Sequence, residues 1–334
     1  MFKDIDQFLT ILSIIFLHWA TPIIILSFLK WTFNIGFDST IAYYCYCSTV
    51  LIIIYSLVCK ALSEKKGEKI DKKWKDQIAI LTGGSQGLGK TLALTLMLQG
   101  ATVAVLDVVP LDGDMERVYY YECDVSNKLK VEETIEKICK ELGTPTILIN
   151  NAGIFKEAKE FTNTKWQDLR KTIEVNLIGT MLVTHQVLPL FLDNNKGHIV
   201  NISSSLGFAS PALSSAYTAS KAGIIAFNES IHNELSTFHS EKNIKTTLVC
   251  PGKLADTQLF KMAKMKFSWI FPEVEIMDLS WTIIRELELN RNGEIFIPTY
   301  SHWMIISRAF PLKLRRFVFN FVGANSSLIT KKSN

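Results

Sequence analysis

No pair among the six cysteines has the CxxC spacing of a thiol-redox motif or a zinc ribbon. Cys45, Cys47, Cys59, Cys123, Cys139 and Cys250 fall into no regular framework, so they are expected to be free, small apolar side chains in a reducing compartment. The six histidines show neither HxxxH nor HExxH spacing, and no metal is expected. Lys and Arg exceed Asp and Glu only by 36 to 32 and are not interleaved with aromatics, so no nucleic-acid partner is expected. Internal repeats and low-complexity tracts are missing, and 48% hydrophobic against 20% charged residues excludes a disordered chain.

What the sequence has is an apolar excess at its front. The mean hydropathy is +0.19, and much of it comes from two uncharged runs at 8–29 and 41–59. At about 1.5 Å rise per residue the first is long enough to cross a hydrocarbon layer of roughly 30 Å. It is too long for the apolar region of a signal peptide and has no small-residue cleavage site. Residues 1–62 are therefore expected to form a membrane anchor of two segments. Pro22 and the flanking Trp19, Trp31, Tyr43 and Tyr44 suit a re-entrant hairpin in one leaflet as well as a spanning pair. Lys65, Lys66, Lys69, Lys72, Lys73 and Lys75 crowd the linker at 63–76, and basic flanks stay cytosolic, so the chain beyond this linker is expected to face the cytosol.

From residue 77 to about 300 the pattern changes to short apolar runs alternating with helical periods. Strands are predicted at 78–81, 102–106, 118–122, 146–149, 198–202, 245–249 and 294–297, and helices at 88–98, 130–142, 166–192 and 214–238. Alternation of this kind predicts an α/β fold: a doubly wound parallel sheet of about seven strands with helices on both faces.

The segment ILTGGSQGLGKT sets Gly83, Gly87 and Gly89 between the first strand and the first helix. Glycines there let the backbone approach a pyrophosphate, and the helix start offers N–H groups and the positive dipole end. Asp107, at the end of the second strand, can accept from adenosine ribose hydroxyls and repels a 2′-phosphate. Val108 and Gln86 occupy two places where a cation could hold that phosphate, which favours NAD(H); Lys90 keeps NADP(H) open. Tyr217 and Lys221 in YTASK are one helical turn apart on one face. A cation near a phenol favours its ionised form and moves it toward the range of a general acid/base. Ser204 in NISSSLG, Asn150 and Asn151 in INNAG, and Asn176 in EVNLIG are grouped with them, because ligands of open α/β sheets bind beyond the carboxyl ends of the strands.

TGGSQGLG, the CDV at 123–125, NNAG at 150–153, Asn176, a serine thirteen residues before the tyrosine, YTASK, and the CPG at 250–252 occur here in one order. Over nearly all of residues 75–298 the chain thereby resembles the short-chain dehydrogenase/reductase family. The resemblance implies a Rossmann-type domain and a role for each motif residue. Tyr217 is proton donor or acceptor at the substrate oxygen, Lys221 lowers its pKa and binds the nicotinamide ribose, Ser204 holds the substrate oxygen, and Asn176 supports a water relay from Lys221. Cofactor contacts are implied for Gly83, Ser85, Gln86, Gly87, Leu88 and Gly89, for Asp107, for Asp124 and Val125 at adenine, and for Asn151, Ala152 and Gly153. Pro251, Gly252 and Thr257 complete that set, Thr257 at the nicotinamide amide. Ser204 is preferred to its neighbours Ser203 and Ser205 on spacing alone. A homodimer through the helices carrying Asn176 and Tyr217 is also implied.

The front anchor makes the chain similar to the membrane-anchored retinol and hydroxysteroid dehydrogenase group of endoplasmic reticulum and lipid droplets. That similarity implies an NAD(P)-dependent enzyme interconverting an alcohol and a carbonyl on a retinoid, steroid or long-chain lipid. A 3-keto-lipid reductase of fatty-acid or sphingolipid synthesis would share both anchor and motifs, and a non-catalytic scaffold that keeps its cofactor is the alternative of another class. Between 259 and 279, Phe260, Met262, Met265, Phe267, Trp269, Ile270, Phe271 and Met277 fit an apolar lid over a lipophilic substrate or a helix packed on the sheet. The tail at 301–334 mixes Phe310, Phe317, Phe319 and Phe321 with Arg308, Lys313, Arg315 and Arg316, and Pro311 splits it. It fits an interfacial segment or one that packs on the core or a second copy. The closing KKSN resembles the dilysine signal of cytosol-facing endoplasmic reticulum proteins.

Overall fold

The computed structural model describes residues 74–113, 115–156, 158–255, 271–298, 300–308, 310–325 and 327. The expected anchor, most of the lysine-rich linker, Thr257 with most of the expected lid, and the closing KKSN lie outside the described residues.

Seven parallel strands form one sheet: β1 (Ile78–Thr82), β2 (Thr102–Asp107), β3 (Val118–Glu122), β4 (Ile147–Asn150), β5 (Gly197–Ile202), β6 (Ile244–Pro251) and β7 (Gly293–Ile297). Their spatial order is β3-β2-β1-β4-β5-β6-β7, so the order reverses between β1 and β4, where such sheets open a crevice. The central strands are continuous apolar runs because both faces are covered; every residue of β4 and β5 is buried. β3, at the edge, buries only Tyr121.

Alternate residues of each strand feed two separate cores. Leu81, Val103, Val105, Ile147, Ile149 and Val200 face one; Ile80, Ala104, Leu106, Leu148 and Ile199 face the other. The first is covered by α1 (Gly87–Gln99), through Leu88, Leu92 and Leu96, and by α5 (Ile276–Leu289), through Leu279, Ile283 and Leu287. The second is covered by α2 (Lys128–Glu141), α3 (Trp166–Asp193) and α4 (Ser215–Phe238). α3 is long and apolar enough to cross a membrane, yet its Val183, Val187 and Phe191 are wholly buried against the sheet, which accounts for its hydropathy. Two further helices, α6 (Tyr300–Ser307) and α7 (Leu312–Phe321), come after β7.

The predicted strands and first four helices match in place. One helix was not predicted: α5 (Ile276–Leu289) lies between β6 and β7. Of the two readings of 259–279, the helix packed on the sheet holds for 276–279, which α5 takes up: Leu279 is wholly buried, and the Ser280 hydroxyl donates to Thr95 Oγ1 of α1 at 2.9 Å.

Candidate active site

The loops that carry the motifs leave the carboxyl ends of β1, β3, β4, β5 and β6, and so gather along one edge of the sheet. The glycine loop comes first. Gly83 has φ +67°, and a Cβ there would stand 2.8 Å from Ala152 Cα. A Cβ on Gly89 would overlap the Gly83 carbonyl oxygen and stand 2.7 Å from Asn151 Nδ2. Only glycine fits either place, and the result is a cradle open at the start of α1, where Gln86 puts no side-chain bond on the first turn. That cradle fits a dinucleotide pyrophosphate.

Side chains from β2 and β4 lock this loop. Asp107 accepts from Ser85 N–H at 2.9 Å with one carboxylate oxygen and from Val109 N–H at 3.1 Å with the other, and Ser85 Oγ donates to Val109 O at 2.6 Å. Asn151 Nδ2 donates to the carbonyls of Thr82 (3.1 Å) and Gly83 (2.9 Å), while Thr82 Oγ1 accepts from the N–H groups of Asn151 and Ala152, both at 3.0 Å. Asn150 faces the other way: it donates to Thr184 Oγ1 and Asn201 Oδ1, inside the sheet and helix layers and away from the ligand edge. Asp124 accepts from Ser126 N–H and Oγ and from Lys171 Nζ, the last at 2.8 Å. Burial would raise its carboxyl, but the bonds from Lys171 and Ser126 outweigh it and hold the group below the usual carboxylate range. Val125 is buried, and a Cβ on Gly179 would stand 2.7 Å from its Cγ2.

The polar cluster lies beside this loop. Ser204 ends the extended run of β5 and bonds to Tyr217 of α4. Ser203 donates instead to the Lys221 carbonyl at 2.8 Å, so of the adjacent serines it is Ser204 whose hydroxyl meets the phenol. Lys221 Nζ donates to Ile202 O at 2.8 Å and stands 5.8 Å from the centre of the Tyr217 ring. Tyr217 and Lys221 are both buried. Burial pushes the Tyr217 phenol well above its usual range, against the opposing pull of the Ser204 hydrogen bond. Burial likewise brings the Lys221 ammonium down to about 8, opposed by the nearby Cys250 thiol, itself pushed up to about 12 by burial.

Asn176 sits in a π turn (Glu174–Ile178) within α3 and is wholly buried. Such turns are frequent at functional sites because they re-aim one side chain. Its Oδ1 accepts from Ile154 N–H at 2.8 Å, and its Nδ2 donates to Ile154 O and Ser220 Oγ, both at 3.0 Å. Ser220 in turn donates to Tyr217 O at 2.7 Å. Gly153 lies between Asn176 and Lys221: a Cβ there would stand 3.6 Å from Asn176 Oδ1 and 3.5 Å from Lys221 Nζ. Phe155 meets the Tyr217 ring edge-on at 5.6 Å between centroids. With Leu169, Leu213 and Ser214 it lines a cleft against the tyrosine. Beyond β6, Gly252 donates to Ile297 O at 2.7 Å, and a Cβ on it would overlap the Tyr300 hydroxyl.

Several supporting residues were not singled out by sequence: Lys171, Phe155 and Tyr300 lie outside the motifs, Ser220 lies within YTASK, and Arg308 was not taken as a site residue. Arg308 donates from Nη2 to Gly207 O at 2.7 Å and from Nε to Phe208 O at 3.1 Å, just beyond Ser204.

Comparison with known proteins agrees with this geometry. The family model described as short chain dehydrogenase matches residues 77–266. An oxidoreductase of Saccharomyces cerevisiae, described as uncharacterized, is 28% identical over 90% of this chain and 92% of its own length. Epidermal retinol dehydrogenase 2 of Homo sapiens is 30% identical over 74% of this chain and 82% of its own. Among solved structures, a short-chain dehydrogenase from Streptomyces avermitilis superposes with a TM-score of 0.59, covering 75% of this chain and 99% of that one at 20% identity.

Proposed function

The chain belongs to the short-chain dehydrogenase/reductase family, and on that premise we propose that it is a membrane-bound enzyme that interconverts an alcohol and a carbonyl on a lipophilic substrate, with Tyr217 as its acid/base. Membership makes it an NAD(P)-dependent oxidoreductase acting on CH–OH groups. The observation that carries the proposal further is the buried Ser204, Tyr217 and Lys221 cluster next to a glycine cradle that fits a dinucleotide.

In this reading the glycine loop, Asp107 and the backbone around Asn151 would hold the cofactor, with Gly252 and, by resemblance, Thr257 as its contacts on the nicotinamide side. When bound, the nicotinamide supplies or takes up the hydride. Tyr217 gives the matching proton to a carbonyl oxygen in reduction and takes it from the hydroxyl in oxidation. Ser204 holds that oxygen by hydrogen bond. The Lys221 ammonium stabilises the phenolate left when the proton departs, and Ile202 O fixes where that charge stands. Burial keeps Tyr217 protonated at neutral pH, which equips it as a donor for reduction.

NAD(H) is the proposed cofactor. Asp107 keeps a carboxylate at the end of β2, and Lys90, the nearby cation, is paired with Asp112 at 3.7 Å. Support for the lipophilic substrate comes from relatives named retinol dehydrogenase; the cleft at Tyr217 sets Phe155, Leu169 and Leu213 beside the polar Lys156, Lys159 and Asp168. Support for the membrane comes from the two apolar runs at 8–29 and 41–59 and the basic flank that follows them, and in this reading the enzyme sits on endoplasmic reticulum or lipid droplets with its catalytic domain facing the cytosol.

Hydride transfer measured with the detergent-solubilised chain, both nicotinamide cofactors, and retinoids, steroids, long-chain alcohols and 3-keto lipids tests the proposal. Turnover with one lipid class identifies the substrate. Bound cofactor without turnover on any of them would favour the scaffold.

A further inference from the structure

From Ile295 to its end the chain carries Arg308, Lys313, Arg315, Arg316, Lys331 and Lys332 and not one Asp or Glu. Within this cationic stretch α7 has no buried residue. Arg315 and Phe319 are half-buried and mark its packed side. At about 100° per residue Lys313, Phe317 and Phe321 then stand on the opposite side. Phe317 is 65% and Phe321 58% exposed, and the two phenyl rings stack with centroids 6.4 Å apart. Stacked, exposed rings form an apolar plate of the kind that marks an interaction surface, with the positive charge of Lys313 and Arg316 beside it.

The plate is tied to the active site. Arg308, between α6 and α7, bonds to the carbonyls of Gly207 and Phe208, and Asn325 beyond α7 accepts from Ala212 N–H at 3.1 Å. These bonds clamp the loop that runs from Ser204 to the start of α4. The next residue, Leu213, has φ +68°, a left-handed backbone that a leucine holds only when its surroundings impose it. Leu213 lines the Tyr217 cleft.

We propose that α7 docks on an anionic lipid surface and so holds the mouth of the Tyr217 cleft at that surface, where a lipophilic substrate passes from lipid to enzyme without crossing water. Phenyl rings insert at the boundary of headgroups and acyl chains, while lysine and arginine pair with anionic headgroups. A second copy is a poorer occupant, because self-pairing of the plate would bring the same cations face to face. The route for substrate rests on the lipophilic reading proposed above; the docking does not.

Hydrogen–deuterium exchange of the full chain tests it, in vesicles of phosphatidylcholine alone, in equimolar phosphatidylcholine and phosphatidylserine, and in detergent. Amides of 310–324 are expected to exchange roughly tenfold more slowly on the anionic vesicles. K313E/R316E should cost about thirtyfold in docking and remove that protection, and F317S/F321S should remove it too, with α4 exchange unchanged in both as the check on folding. Equal exchange in all three media would overturn the proposal. So would protection that persists in detergent and survives both variants, since the plate would then be covered by another part of this chain or a second copy. If the docking is right and the lipophilic reading is right, K313E/R316E also raises KM for a vesicle-borne substrate with kcat unchanged. Protection without turnover on any lipid would sink the substrate reading alone.

Discussion

In the proposed mechanism Lys221 ties the pH response of the enzyme to a single buried charge. Its ammonium is held down to about 8 by burial, so it is charged below that pH and loses its charge as pH rises through it. The Tyr217 phenol, raised by burial, stays protonated over the same interval. Carbonyl reduction is therefore expected to hold level below about pH 8 and to fall above it, and Lys221→Met should lower the rate and flatten that limb in a pH–kcat profile. A limb of unchanged shape in the variant would assign it to another group. Asp107 makes a second residue-scale prediction. Asp107→Ser removes the charge that repels a 2′-phosphate, so the ratio of kcat/KM for NADPH to that for NADH should rise by about tenfold or more; an unchanged ratio would contradict the proposed cofactor preference. Tyr217, Lys221 and Ser204 were legible because two of them share one helical turn and the serine ends an obvious strand. Lys171 and Arg308 were not, because their partners lie 47 and about 100 residues away in sequence, and no local pattern reports such a contact.

At the scale of elements, α1 and its loop couple cofactor binding to packing. Gly89→Ala would force a Cβ against the Gly83 carbonyl, so it is expected to cost about 1–3 kcal/mol of stability and to weaken dinucleotide binding, read by thermal shift with and without NADH. Leu279→Ala in α5 should cost about 2–5 kcal/mol by denaturant titration, because Leu279 is wholly buried between α5 and the sheet. A cost under about 1 kcal/mol would mean that α5 does not hold that core. The stripe Leu279, Ile283, Ile284 and Leu287 has helical spacing, yet only its first turn fell within the apolar stretch that fitted a lid or a helix on the sheet equally well. The strands were easy for the opposite reason. The central ones are short apolar runs bounded by polar turns, as burial on both faces demands.

Across the whole molecule, the strand order was not written in any one segment. β2 and β3 lie to one side of β1 and β4 to β7 to the other, and this reversal opens the crevice where the motifs meet. The membrane half of the proposal has its own test: the full chain is expected to stay with membranes through an alkaline carbonate wash, and release into the supernatant would contradict an integral anchor. The central claim is that Tyr217 moves the proton that accompanies hydride transfer. Its most direct test is Tyr217→Phe, which deletes one oxygen from a buried ring, assayed against the parent chain for turnover of a lipid alcohol or carbonyl and for binding of NADH. The account predicts a loss of about a hundredfold to ten-thousandfold in kcat with cofactor affinity unchanged; parent-like turnover in the variant would contradict it.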